Sequence, residues 1–91
     1  MSHGRKKQQK LSQATRWVRI ESSTPLYYFM HNGKHLVTLI WIMSTNYWEV
    51  YDVLPYGEGF WKTFVPSSDW DAEKAAREYA EKWLRKQGYI S

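Results

Sequence analysis

The stretch LVTLIWIM-STN-YWEVYDVL, residues Leu36 to Leu54, decides the fold. Two apolar runs rich in β-branched and aromatic residues flank a short polar turn, the pattern of a central antiparallel hairpin. The first run, Leu36 to Met43, is apolar at seven of its eight positions, with Thr38 the exception. It is short for a helix and too continuous for a strand wetted on one face, which predicts a middle strand covered on both sides.

Working outward, LYYFMH (26–31) runs into Asn32-Gly33. A type I′ turn needs positive φ at both central residues, and Asn-Gly meets that need best, so a hairpin returning at Lys34 is predicted. A two-residue loop there would set His31 opposite Lys34, Met30 opposite His35, Tyr28 opposite Val37 and Leu26 opposite Leu39. A three-residue turn at Ser44-Thr45-Asn46 would set Met43 opposite Tyr47, Trp41 opposite Glu49 and Leu39 opposite Tyr51. Side chains alternate across a sheet, so two faces are expected. One carries Phe29, Leu36, Ile40, Ile42, Trp48, Val50 and Leu54 and suits a helix. The other carries Tyr28, Val37, Leu39, Trp41, Met43, Tyr47, Tyr51 and Val53 and is aromatic. A slip in the second turn would exchange faces for residues 47–54.

RWVRIE (16–21) alternates, with Val18 and Ile20 on one side and Trp17, Arg19 and Glu21 on the other, and predicts a first strand broken by Ser22 to Pro25. PYGEG (55–59) reads as a loop, and FWKTFV (60–65) as a last short strand stopped by Pro66. Ser67, Ser68 and Asp69 offer helix N-caps, and Ser68 with Asp71 forms a capping box. The helix is expected to run through Arg85 or Lys86 and to end at Gly88, with Tyr89 making the apolar contact that follows such an end. Ala72, Ala75, Ala76, Tyr79, Ala80, Trp83 and Leu84 share one stripe, and its alanines allow close approach to a sheet. Glu73–Arg77, Glu78–Lys82 and Glu81–Arg85 pair along the other side at the favourable spacing.

Ninety-one residues support one domain with a single core. No cysteine is present, which excludes disulfides and thiolate zinc sites and favours a cytoplasmic setting. No apolar run reaches membrane-spanning length, and MSHGRKKQQK lacks the apolar segment of a secretory signal. The net charge of +4 is unevenly spread. Residues 1–19 hold six cations and no acid, while residues 20–91 hold seven cations against nine acids. Residues 1–14 are polar and basic and read as a flexible arm, and residues 15–91 as the folded domain.

Arg5, Lys6, Lys7, Lys10, Arg16 and Arg19 can neutralise phosphates and gain from counterion release, which makes nucleic acid a candidate partner. Trp17, and with it Tyr28, Trp41, Tyr47 and Tyr51, can stack on unpaired bases. The bland reading of the same features is a solubilising tail and an aromatic face buried against a second copy or a partner protein. His31 and His35 fall on opposite faces of the expected hairpin, so they cannot share a metal ion. Glu49, Asp52 and Glu58 have no Gly-rich loop, cysteine or Ser-His arrangement beside them, and neither an enzyme nor a cofactor is expected. The exposed side of the helix mixes acids and cations and reads as a solvated surface, with Lys82, Arg85 and Lys86 suited to the negative end of its dipole.

From Trp61 the chain reads WKTFVPSSDWDAEKAAREYA, with Trp61, Phe64, Ala75, Ala76 and Tyr79 in a strand-turn-helix arrangement. Over residues 61–80 this resembles the end of AP2-type and integrase arm-type DNA-binding domains. The resemblance implies a three-stranded sheet laid in a DNA groove and backed by one helix, with DNA favoured over RNA. The sheets of those domains carry several arginines on the DNA face, whereas strands two and three here are nearly uncharged. The expected protein is thus an α+β domain with a four- to five-stranded, mainly antiparallel sheet and one C-terminal helix on one face. Its expected role is non-catalytic nucleic-acid binding. The alternative is a phage- or mobile-element-type interaction module that pairs with itself or a partner through the aromatic face, without membrane contact.

Overall fold

Asn32 and Gly33 turn the chain with φ angles of 52° and 80°, as the type I′ reading requires, and join the second and third strands of a five-stranded sheet. The computed structural model describes residues 14–55 and 59–91. Strands β1 (Thr15–Arg19), β2 (Leu26–His31), β3 (Lys34–Ile42), β4 (Tyr47–Asp52) and β5 (Trp61–Phe64) lie side by side in chain order, every neighbour antiparallel. Among the described residues one helix, α1 (Ala72–Gln87), follows β5 and packs against β3, β4 and β5. This is the expected α+β architecture, with the first strand spanning 15–19 rather than 16–21.

The register departs from expectation at two places. His31 faces Lys34 and Met30 faces His35 as predicted, but Phe29 then faces Val37, so Leu36 is the extra residue of a β-bulge. Beyond it Tyr28 faces Thr38, not Val37, and Leu26 faces Ile40, not Leu39. A bulge sets two residues against one and shifts the alternation by a position, so β3 turns over from Val37 onward. The second departure lies at the other end. Ile42 pairs with Tyr47 across a four-residue loop, Met43 to Asn46, closed by the Asn46 N–H on the Ile42 carbonyl at 2.8 Å, with Asn46 at φ 56°. The expected three-residue turn is one residue too short. The two shifts cancel, and β4 keeps its predicted orientation.

The helix-facing side therefore carries Trp17, Tyr27, Phe29, Leu36, Val37, Leu39, Trp41, Trp48, Val50 and Phe64. Val37 and Leu39 were expected on the aromatic side and are instead core, while Ile40 and Ile42 leave the core for the opposite face. Trp41 also moves to the helix side, where its ring meets Trp48 edge-on at 5.3 Å. β3 is a middle strand, but the helix covers only one of its faces. Thr38 is buried nonetheless, beneath its neighbours on the other face.

Four small or apolar residues set the helix against the sheet: Ala72, Ala76, Ala80 and Leu84 are buried. Methyl side chains let the helix backbone approach the sheet, and the full burial of a leucine contributes about 2 kcal/mol. Asp71, rather than Ser68, is the N-cap, its carboxylate accepting the Lys74 N–H at 3.0 Å. The end is as expected: Gly88 adopts φ 85°, and the Tyr89 N–H bonds the Leu84 carbonyl at 2.9 Å. Arg77 ties the helix to the first strands. Its guanidinium lies 4.3 Å over the Tyr27 ring and 5.3 Å over Trp17, and it pairs with Glu73 at 2.5 Å. Between β4 and β5, the Asp52 carboxylate accepts the Phe60 N–H at 2.8 Å and the Leu54 N–H at 3.3 Å. Gly59 passes so close to that carboxylate that a Cβ there would collide with it.

Candidate nucleic-acid interface

With the helix on one side, the other side of the sheet presents Arg16, Val18, Leu26, Tyr28, Met30, His35, Ile40, Tyr47, Glu49, Tyr51, Trp61 and Thr63, partly or fully exposed. Register brings distant residues into rows across the strands. Val18, Tyr28, Thr38, Tyr51 and Trp61 are successive cross-strand partners and form one line over all five strands. Neighbouring strands lie about 4.8 Å apart, so Tyr51 and Trp61 adjoin while Tyr28 and Tyr51 flank the small Thr38 at about twice that spacing. Trp61 is 70% exposed, so its ring is open to contact. Leu26, Ile40, Glu49 and Thr63 form the next row.

On the other flank of that line, His35 stacks on Tyr28 with centroids 3.7 Å apart and planes 16° apart. Its Nε2 lies 3.1 Å from the Val37 carbonyl and 2.9 Å from Thr38 Oγ1. A carbonyl can only accept, so the bond to Val37 assigns the Nε2–H tautomer. Burial lowers the His35 pKa below 6.5, and the bond to the Val37 carbonyl opposes part of that shift. His31 lies on the helix side and meets Thr15 Oγ1 at 2.5 Å, so the two histidines are on opposite faces as expected. Among the described residues there is no group of three metal-ligating side chains.

The expected site residues divide. Tyr28, Tyr47 and Tyr51 share the open face, while Trp41 does not. Trp17 is spent inside the fold: its Nε1–H donates to Glu81 at 2.8 Å, and its ring meets Phe29 edge-on at 5.0 Å. That packing removes it from the stacking set. Arg19 is also on the helix side, over the Tyr27 ring at 5.4 Å, whereas Arg16 is exposed on the open face in line with Met30 and His35. Arg5, Lys6, Lys7 and Lys10 lie outside the described residues. The described chain begins at Ala14, whose carbonyl accepts the Asn32 N–H at 2.7 Å, at the Asn-Gly end of the sheet.

Trp61 and Glu49 were not singled out as contact residues in the sequence. The alternation of Phe60, Lys62 and Phe64 against Trp61 and Thr63 was the available signal, and it needed the pairing of β5 with β4 to assign a side. Comparison with known proteins adds no constraint: no family model, no curated protein and no solved structure matches this chain. No helix among the described residues is long and apolar enough to cross a membrane.

Proposed function

We propose that this is a small, non-catalytic nucleic-acid-binding protein. It engages unpaired bases on the open sheet face and phosphates through Arg16 and the basic residues Arg5, Lys6, Lys7 and Lys10. The observation that carries the reading is the cross-strand line Tyr28–Thr38–Tyr51–Trp61 on a face that the helix leaves uncovered. Every base has a π face, and a ring at the protein surface contributes about 1–3 kcal/mol per stacked base. The nearly uncharged face suits stacking better than groove insertion, so single strands are the preferred ligand. DNA stands ahead of RNA on the resemblance of residues 61–80 to DNA-binding domains. The lack of cysteine fits a cytoplasmic setting.

The test uses the full chain and a variant with Arg5, Lys6, Lys7 and Lys10 all replaced by Gln. Both are titrated with labelled single- and double-stranded oligonucleotides at roughly 50 and 200 mM salt. Salt-sensitive binding to single strands that weakens sharply in the variant is expected. Absence of binding at the lower salt would overturn the proposal. A second reading has its own support, because Leu26 and Ile40 make the row beside the aromatic line aliphatic. Such a surface also suits a homodimer or a partner protein, as in a phage- or mobile-element-type interaction module. A mass by light scattering that doubles with concentration would favour that reading.

A further inference from the structure

Glu49 sits awkwardly on a face that binds a polyanion. Its side chain lies on the open side of β4 between Tyr47 and Tyr51, each two residues away on the same face. Among the described residues no cation lies within ion-pair distance of it, and the Tyr47 hydroxyl donates to it at a long 3.4 Å. A carboxylate offers about four acceptor positions, so most of its capacity is unused. Glu49 also borders a shallow, open hollow of about 430 Å³ whose other sides include Tyr51 and Trp61, with the indole largely exposed. The two carboxylate groups of that hollow differ. Asp52 is committed to the Phe60 and Leu54 amides, while Glu49 is available.

We propose that this hollow is a base-selective slot, in which a base stacks on Trp61 or Tyr51 and Glu49 selects guanine. This rests on the nucleic-acid reading above and adds the base that is read. The chemistry follows from donor patterns. Guanine presents N1–H and the N2 amino group side by side on its Watson–Crick edge, two parallel donors that match the two oxygens of a carboxylate. Adenine and cytosine set an amino group beside a ring-nitrogen acceptor, which the carboxylate repels. Thymine and uracil set a single N–H between two carbonyls. In a duplex the guanine edge is already paired, so the slot reads only unpaired guanine and reinforces the preference for single strands. The unfavourable charge of Glu49 near phosphates is then offset only when the correct base is present, which is how a repulsive element produces discrimination.

The experiment uses the intact chain and fluorescein-labelled ten-nucleotide thymidine tracts in which one central position is guanine, hypoxanthine or adenine. Hypoxanthine keeps N1–H and lacks the N2 amino group. Guanine is expected to bind about tenfold or more tighter than adenine, the range of one good bidentate contact, with hypoxanthine between them. Glu49→Gln is expected to erase that order and, with the repulsive charge gone, to bind the adenine and unsubstituted tracts more tightly than wild type does. Equal binding of the three tracts would overturn the slot while leaving the nucleic-acid reading intact, as would a guanine preference that survives in Glu49→Gln. Failure of every tract to bind would overturn both. The hypoxanthine comparison changes only the ligand, so it holds whether or not the variant folds well.

Discussion

Leu39 and Ile40 are consecutive, similar in volume and equally apolar, yet they lie on opposite faces of β3. Leu39 has no exposed surface and packs with Val37, Val50 and the alanines of α1, while Ile40 remains partly exposed between Leu26 and Glu49. The contrast extends across the sheet. On one face the rings are consumed by the fold: Trp17 bonds Glu81, Tyr27 carries Arg77 and Trp48 meets Trp41. On the other they border solvent, and Trp61 is the extreme case. Apolar character alone therefore does not identify the core of this protein. Strand parity relative to the helix does.

The most direct way to break this comparison is a pair of truncations. Leu39→Ala is expected to cost about 3 kcal/mol of unfolding free energy, through lost transfer and the cavity left behind. Ile40→Ala, on a face that already meets water, is expected to cost about 1 kcal/mol or less. Urea unfolding of the two variants checks this, and equal losses would mean that the open face is covered in solution.

Two tryptophans sharpen the same contrast. Trp17→Phe removes the donor to Glu81 and is expected to cost about 1–2 kcal/mol of stability. Trp61→Ala should change stability by no more than about 0.5 kcal/mol. Its oligonucleotide affinity, measured by anisotropy, should nevertheless fall by about 1–3 kcal/mol if the ring stacks on a base. A stability loss at Trp61 as large as that at Trp17 would contradict the assignment of faces. Asp71→Ala acts on neither face and serves as a calibration, since loss of the N-cap is expected to cost about 1 kcal/mol, read from the same urea curves.

The smallest effect concerns acid. Burial holds the His35 pKa in the folded protein below the 6.5 of the free side chain. The unfolded chain therefore takes up its proton first as pH falls, so the contribution of neutral His35 is fully present above pH 6.5 and is lost as pH falls through the folded pKa. Wild type should lose more stability than His35→Gln between neutral and mildly acidic pH, measured by denaturant titration. Parallel losses would show that His35 is not the group responsible.

Much of this architecture was legible because it rests on local chemistry. Asn32-Gly33 announced its turn through the positive φ both residues adopt, and Gly88 marked the end of the helix for the same reason. The spacing of Ala72, Ala76, Ala80 and Leu84 identified the buried stripe. The faces of β3 were not legible. The bulged pair Leu36-Val37 consists of two apolar residues, both buried, and contains no glycine to signal a break in alternation. Met43 reads as the end of an apolar strand but is a loop residue with 65% of its surface exposed. Register is a tertiary property, fixed here by whether one or two residues stand opposite Phe29, and composition carries little trace of it. The candidate site inherited that error at Trp41 and escaped it at Tyr28, Tyr47 and Tyr51.

The paired irregularities at Leu36 and at the Met43–Asn46 loop also bear on how this chain can change in length. One residue more at the bulge and one more in the loop, relative to a plain hairpin, add up to an even number, and β4 comes out facing as though neither were present. A single residue gained or lost within β3 would exchange every side chain beyond it between oil and water. Two would restore the original order. Insertions and deletions within the paired residues of β3 should therefore be tolerated in even numbers, and a collection of β3 length variants selected for folding would show that evenness as its signature.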